Sequence, residues 1–141
     1  AGLETRISDD VDSLLWSKLI GNVGINALTA LLRVPNGVLA QTPECDLLMA
    51  RAVAEAVAVA RALSSRLDGE RQLERVREVC LRTADNRASM LQDILRRRPT
   101  EIDAINGAVV ARGRAAGVDT PVNLLLTQLV QALEATVADR L

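Results

Sequence analysis

The stretch that decides the fold is Trp16-Ser17-Lys18-Leu19-Ile20-Gly21-Asn22-Val23-Gly24-Ile25-Asn26-Ala27-Leu28-Thr29-Ala30-Leu31-Leu32. It has no period-two alternation, and no charged residue falls between Leu19 and Leu32. Wound as a helix at about 100° per residue, with Lys18 at zero, it sets Thr29, Asn22 and Asn26 at roughly 20°, 40° and 80°. Leu15 and Leu19 border that stripe, while Trp16, Ile20, Val23, Ala27, Leu28 and Leu31 fill the rest of the wheel. A surface helix has the reverse proportions, with a broad polar face and a narrower apolar one. This helix is therefore expected to be enclosed by protein, with its polar stripe facing a cleft. A stripe that merely meets solvent at a helix edge is the competing reading.

The helical pattern continues outward in both directions. Residues 1–8 read as a lead-in segment, and Asp9 or Asp10 can cap the first helix, which is expected to reach Arg33. Val34-Pro35-Asn36-Gly37 breaks it, because the position before proline avoids the helical region and Asn-Gly favours a turn. Thr42-Pro43-Glu44 opens a second long helix that is expected to end near Asp68-Gly69, followed by a charged amphipathic helix over 69–84. Ser89-Met90-Leu91-Gln92 has the spacing of a capping box, which predicts a short helix to Arg97. Pro99-Thr100-Glu101-Ile102-Asp103 starts another that ends at Gly117, and Asp119-Thr120-Pro121 starts the last. No strand is expected. The fold class is an all-α domain of six or seven helices.

Composition narrows the chemistry. The chain has 141 residues, 49% hydrophobic and 25% charged, which is the make-up of a single domain spanning 1–141. A net charge of −1 gives no electrostatic case for nucleic acid or an anionic membrane. Histidine, tyrosine and phenylalanine are absent and Trp16 is the single aromatic, which excludes histidine triads, histidine-ligated zinc and base-stacking platforms. Cys45 and Cys80 form no CxxC pair, so no metal is expected, and two lone thiols suit a reducing cytosol. No apolar run is expected to span a bilayer, and nothing at the start reads as a signal peptide. A chain that begins at Ala1 instead of methionine is expected to be part of a longer protein.

Of the 17 basic side chains, 16 are arginine and only Lys18 is lysine. Arginine stays protonated, whereas lysine can give up a proton during a reaction. A single lysine beside two amides on one helical face therefore reads as a proton donor in a small-molecule site, against the plainer reading of a snorkelling surface lysine. Ser89 and Glu101, each at an expected helix start, could reach the same stripe or could simply serve the helix ends.

These residues carry a resemblance. Trp16-Ser17-Lys18-Leu19, Asn22, Asn26-Ala27-Leu28-Thr29-Ala30 and Pro35-Asn36-Gly37 resemble the first helix and following turn of the C-terminal domain of ketopantoate reductases (2-dehydropantoate 2-reductases). Ser89-Met90-Leu91-Gln92-Asp93-Ile94 and Arg98-Pro99-Thr100-Glu101-Ile102-Asp103-Ala104-Ile105-Asn106-Gly107 are similar to the family's second signature, and Gly117-Val118 with Thr120-Pro121-Val122-Asn123 to its closing pattern. The ordered set spans nearly the whole chain.

The resemblance implies a helical domain like the C-terminal domain of 6-phosphogluconate dehydrogenase, joined in the family to an N-terminal Rossmann domain that holds NADPH. It implies that Lys18 is the general acid for a 2-keto acid substrate, that Asn22, Asn26 and Asn36 face that substrate, and that Ser89 binds near its carboxylate. Glu101 would contact the cofactor side and help orient Lys18. The glycine-rich dinucleotide loop has no counterpart: Gly21-Asn22-Val23-Gly24 lies inside a helical pattern, so the Rossmann domain is expected to be missing from this chain and the piece alone inactive. Two alternatives stand beside this reading. One is a reductase of a different small 2-keto acid. The other is a non-enzymatic helical module that forms a homodimer or binds a partner through its alanine-rich helices.

Overall fold

A computed structural model describes residues 2–63 and 65–141, with side chains from Val11 onward. The described residues form seven α-helices: α1 (Gly2–Leu32), α2 (Asn36–Gln41), α3 (Pro43–Ala62), α4 (Gly69–Arg82), α5 (Ser89–Leu95), α6 (Asn106–Ala116) and α7 (Pro121–Ala135). Single 3-10 turns lie at Ile102–Ala104 and Val137–Asp139, and no strand occurs among the described residues. The all-α class read from the sequence holds.

α1 is the axis of the molecule. It packs against α3, α4, α5 and α7, burying Ile20, Val23, Ala27, Leu28 and Ala30. Gly24 lets its neighbours close in, since a Cβ there would lie 3.0 Å from methyl carbons of both Val53 and Val76. Trp16 is buried as well, with the Arg112 guanidinium 5.3 Å above its ring.

Several boundaries differ from the sequence expectation, each for a physical reason. α1 begins at Gly2, so the expected lead-in segment is helical and neither Asp9 nor Asp10 stands at its start. Nothing from Leu3 to Ser8 breaks a helix, and an aspartate inside one costs at most about 0.7 kcal/mol. Residue 1 lies outside the described residues. The expected turn at Pro35-Asn36-Gly37 is instead the start of α2, with Pro35 as an extended N-cap. Its first amides find tertiary partners, as Asn36 N–H donates to the Asn86 carbonyl and Gly37 N–H to the Ala84 carbonyl, both at 3.0 Å.

α3 stops at Ala62 and not near Asp68; residue 64 of the expected helix lies outside the described residues. Asp68 instead caps α4, its Oδ1 accepting from the amides of Glu70 and Arg71. The expected capping box at Ser89 does not form. Ala88 is the N-cap of α5, and the Gln92 side chain donates to the Arg87 carbonyl. The helix expected from Pro99 to Gly117 is split by Ile105, at φ −107° and ψ −92°, into a 3-10 turn and α6. Gly117 ends α6 in the left-handed region, as its position suggested.

The expectation that no apolar run could span a bilayer does not hold for α1. Val11–Leu32 is long and apolar enough to cross one by length and composition, at a mean hydropathy of 1.2 over its window. In this structure 56% of that window is buried inside the fold, which is the position of a core helix.

Candidate active site

The α1 stripe changes character along its length. Val11, Leu14, Leu15 and Lys18 are exposed, Gly21 and Asn22 are half-buried, and Ile25, Asn26 and Thr29 are buried. Gly21 adds to the opening, with no atom within 4 Å of where its Cβ would stand. The first half of this helix thus meets solvent at its edge, and the second half is enclosed by protein. The enclosed half is flanked by α5, which packs on α1 and shares a cavity with Arg33 and Val34 through Leu91 and Leu95.

Lys18 makes no ion pair among the described residues, and its ammonium is open to solvent. Asn26 is 7% exposed, and its side-chain amide makes no hydrogen bond among the described residues. Thr29 is spent locally, its hydroxyl donating to the Asn26 carbonyl at 3.0 Å. Asn36, buried at the head of α2, donates from Nδ2 to Thr83 Oγ1 at 3.0 Å, while its Oδ1 is buried without a partner among the described residues. Ser89 is the exposed first residue of α5, a helix that packs on α1.

Glu101 sits on a different support. It is exposed in the turn before the 3-10 helix, and that turn is tied to α7 on both sides. Thr100 donates from its amide (2.9 Å) and its hydroxyl to Glu134 Oε1, and Gln131 donates to Asp103 Oδ1 at 2.8 Å. The backbone beneath Glu101 is thus fixed, while its carboxylate makes no hydrogen bond or ion pair among the described residues. A separate cavity of about 200 Å³, lined by Ile94, Arg98, Glu134 and Arg140 among others, contains none of these candidate residues.

Sequence reasoning missed the residues that hold this arrangement from behind. Asn106 and Asn123 are both fully buried and hydrogen-bonded to each other at 3.0 Å. Asn123 is also bonded to Glu55, which accepts from the amides of Val122 and Asn123 and so caps α7 in place of Thr120. The available signal was an asparagine next to Ile105 and two positions before Ala108-Val109-Val110, a polar residue in an apolar run. Elsewhere in the core, burial, reinforced by the Asp46 carboxylate, pushes the Cys80 thiol up to about 11.

Chemically, the open end of the stripe offers donors: an ammonium on Lys18 and an amide on Asn22 one turn away. Donors so placed suit a small molecule with carboxylate and carbonyl oxygens. Residues 10–134 match the family described as ketopantoate reductase PanE/ApbA, C terminal. The chain belongs to this family. It is 41% identical over 134 residues to a 2-dehydropantoate 2-reductase of Pyrobaculum aerophilum, a match covering 95% of this chain and 48% of the relative.

Solved structures agree. A PanE/ApbA family ketopantoate reductase from Ralstonia eutropha superposes with a TM-score of 0.82 at 34% identity, covering 88% of this chain and 41% of that one. D-mandelate dehydrogenase, solved with NADH and anilino(oxo)acetate, superposes with a TM-score of 0.85 at 30% identity, covering 89% and 53%. The chain spans about half the length of the curated relatives it matches. It corresponds to the helical C-terminal domain of this oxidoreductase family.

Proposed function

We propose that this chain is the substrate-binding half of an NADPH-dependent 2-dehydropantoate 2-reductase, which reduces ketopantoate to pantoate. The observation that carries the reading is the solvent-open end of the α1 stripe, where the chain's single lysine stands one helical turn from Asn22. The described residues include no strand–turn–helix that could cradle a dinucleotide, and Gly24 is filled against Val53 and Val76. The cofactor is accordingly assigned to a separate Rossmann half, with only Glu101 and the open α1 face turned toward it from this chain. When bound, that cofactor supplies a hydride.

The remaining work falls to this chain. Asn22 and Asn26 donate hydrogen bonds to the keto acid, Asn36 faces it from the head of α2, and Ser89 holds its carboxylate. Lys18 Nζ gives its proton to the ketone oxygen as that oxygen gains negative charge. Its exposure lets water restore the proton before the next turnover. Arginine would hold the same charge but would not release a proton.

The experiment follows NADPH absorbance with ketopantoate in the full-length protein that carries this chain, wild type beside Lys18→Arg. Rapid oxidation that collapses in the variant supports the reading, and full activity in Lys18→Arg removes the lysine from the chemistry. The superposition on D-mandelate dehydrogenase favours a second reading, a different 2-keto acid in the same site. Oxidation with phenylglyoxylate but not with ketopantoate would select it.

A further inference from the structure

Behind the stripe lies a chain of buried hydrogen bonds that ends on α1. Glu55 of α3 accepts from the Asn123 amide (3.0 Å) and from Asn123 Nδ2 (2.9 Å). Asn123 Nδ2 also donates to the Ala52 carbonyl at 3.1 Å. Asn123 Oδ1 in turn accepts from Asn106 Nδ2 at 3.0 Å, and the same Asn106 nitrogen donates to the Val23 carbonyl at 3.4 Å. Val23 lies between Asn22 and Asn26. The network therefore joins α3, α6 and α7 to the turn of α1 that carries the substrate amides.

The orientation of Asn106 is forced. Flipping its amide would set an oxygen against two acceptors, the Val23 carbonyl and Asn123 Oδ1. In the orientation observed, Asn106 Oδ1 is buried without a partner among the described residues. That cost is set against the two bonds from Asn106 Nδ2, and an apolar residue would strand Asn123 Oδ1 instead. The same two bonds make Asn106 the side chain that joins α6 and α7 to the α1 backbone.

We propose that Asn106 is a positioning residue that fixes α1 at Val23, and through it the direction in which Asn22 and Asn26 present their amides to the keto acid. The proposal rests on the reductase reading for its substrate, but not for its anchor. Asn123 and Glu55 act one step further back, holding Asn106 to the α3–α7 scaffold.

The test is Asn106→Leu in the full-length protein, read three ways. The protein stays folded by circular dichroism. Hydrogen–deuterium exchange over residues 19–30 rises about tenfold relative to wild type while exchange over α4 does not change. The KM for the keto acid rises about tenfold with the KM for NADPH unchanged, as expected when positioning and not folding is lost. Unchanged exchange over 19–30 overturns the anchor whatever reaction the protein catalyses. Faster exchange with an unchanged keto-acid KM overturns the positioning role. A wild-type protein that reduces no 2-keto acid overturns the reductase reading and, with it, the role toward substrate, while the exchange result still decides the anchor. If Asn106→Leu fails to fold, Asn106→Ala, which leaves room for a water, gives the same readouts.

Discussion

The two halves of α1 share one sequence pattern and have opposite surroundings. From Val11 to Asn22 the stripe lies open or half-open, with Gly21 facing empty space; from Val23 to Ala30 every residue is buried, with Gly24 filled by Val53 and Val76. Periodicity reports which residues share a helical face, but whether that face is covered depends on where neighbouring helices end. Here the open half carries the candidate proton donor, while the covered half carries the packing that keeps it in place.

The largest expected effect separates the halves by readout. Lys18→Ala lowers kcat by about 10²–10⁴, the scale for losing a general acid. Because Lys18 is exposed, the variant's unfolding free energy stays within the small range of surface substitutions, about 0.5 kcal/mol either way. A large loss of stability would mean that the open half also carries packing.

The two glycines give a sharper comparison. Gly21→Ala and Gly24→Ala gain the same helix propensity, about 1 kcal/mol. Only Gly24 is crowded, so Gly24→Ala is expected to be less stable than Gly21→Ala by about 1–3 kcal/mol in urea unfolding. Equal midpoints would show that Val53 and Val76 yield without cost.

An effect of similar size, confined to high pH, probes what backs the covered half. Cys80 lies 3.9 Å from the sulfur of Met49, whose Cγ is one of the atoms crowding Gly24. The thiol loses its proton near 9.0 in the unfolded chain and near 11 in the folded one, chiefly through burial. Between those values the unfolded state binds fewer protons, so stability is complete below pH 9 and falls as pH rises toward 11, by about 1–3 kcal/mol. Denaturation of wild type and Cys80→Ala at pH 8 and pH 10.5 checks this, since the variant lacks that part of the decline.

What the sequence made legible follows the same division between local and tertiary causes. Pro43, Gly117 and Pro121 mark helix ends through their own backbone chemistry, and each does so in the structure, whereas Asp68, read as the end of α3, caps the start of α4. The start of α2 and the N-terminus of α7 depend on partners far along the chain, Ala84 and Asn86 for one and Glu55 for the other, and no local pattern announces them. Ser89 and Gln92 had the spacing of a capping box, but Gln92 reaches back to Arg87 instead. Lys18, Asn22 and Asn26 could be placed on one face from the sequence because one helix carries all three. Asn106 and Asn123 could not be brought together, because nothing in Ile105-Asn106-Gly107 or Val122-Asn123 says that the two amides meet.

The cap that Glu55 places on α7 also makes one helix answerable to another. Thr120 makes no side-chain cap, so the amides of Val122 and Asn123 take their acceptor from a carboxylate 67 and 68 residues earlier in the chain. The start of α7 is therefore only as secure as the docking of α3, and loosening one helix loosens the other.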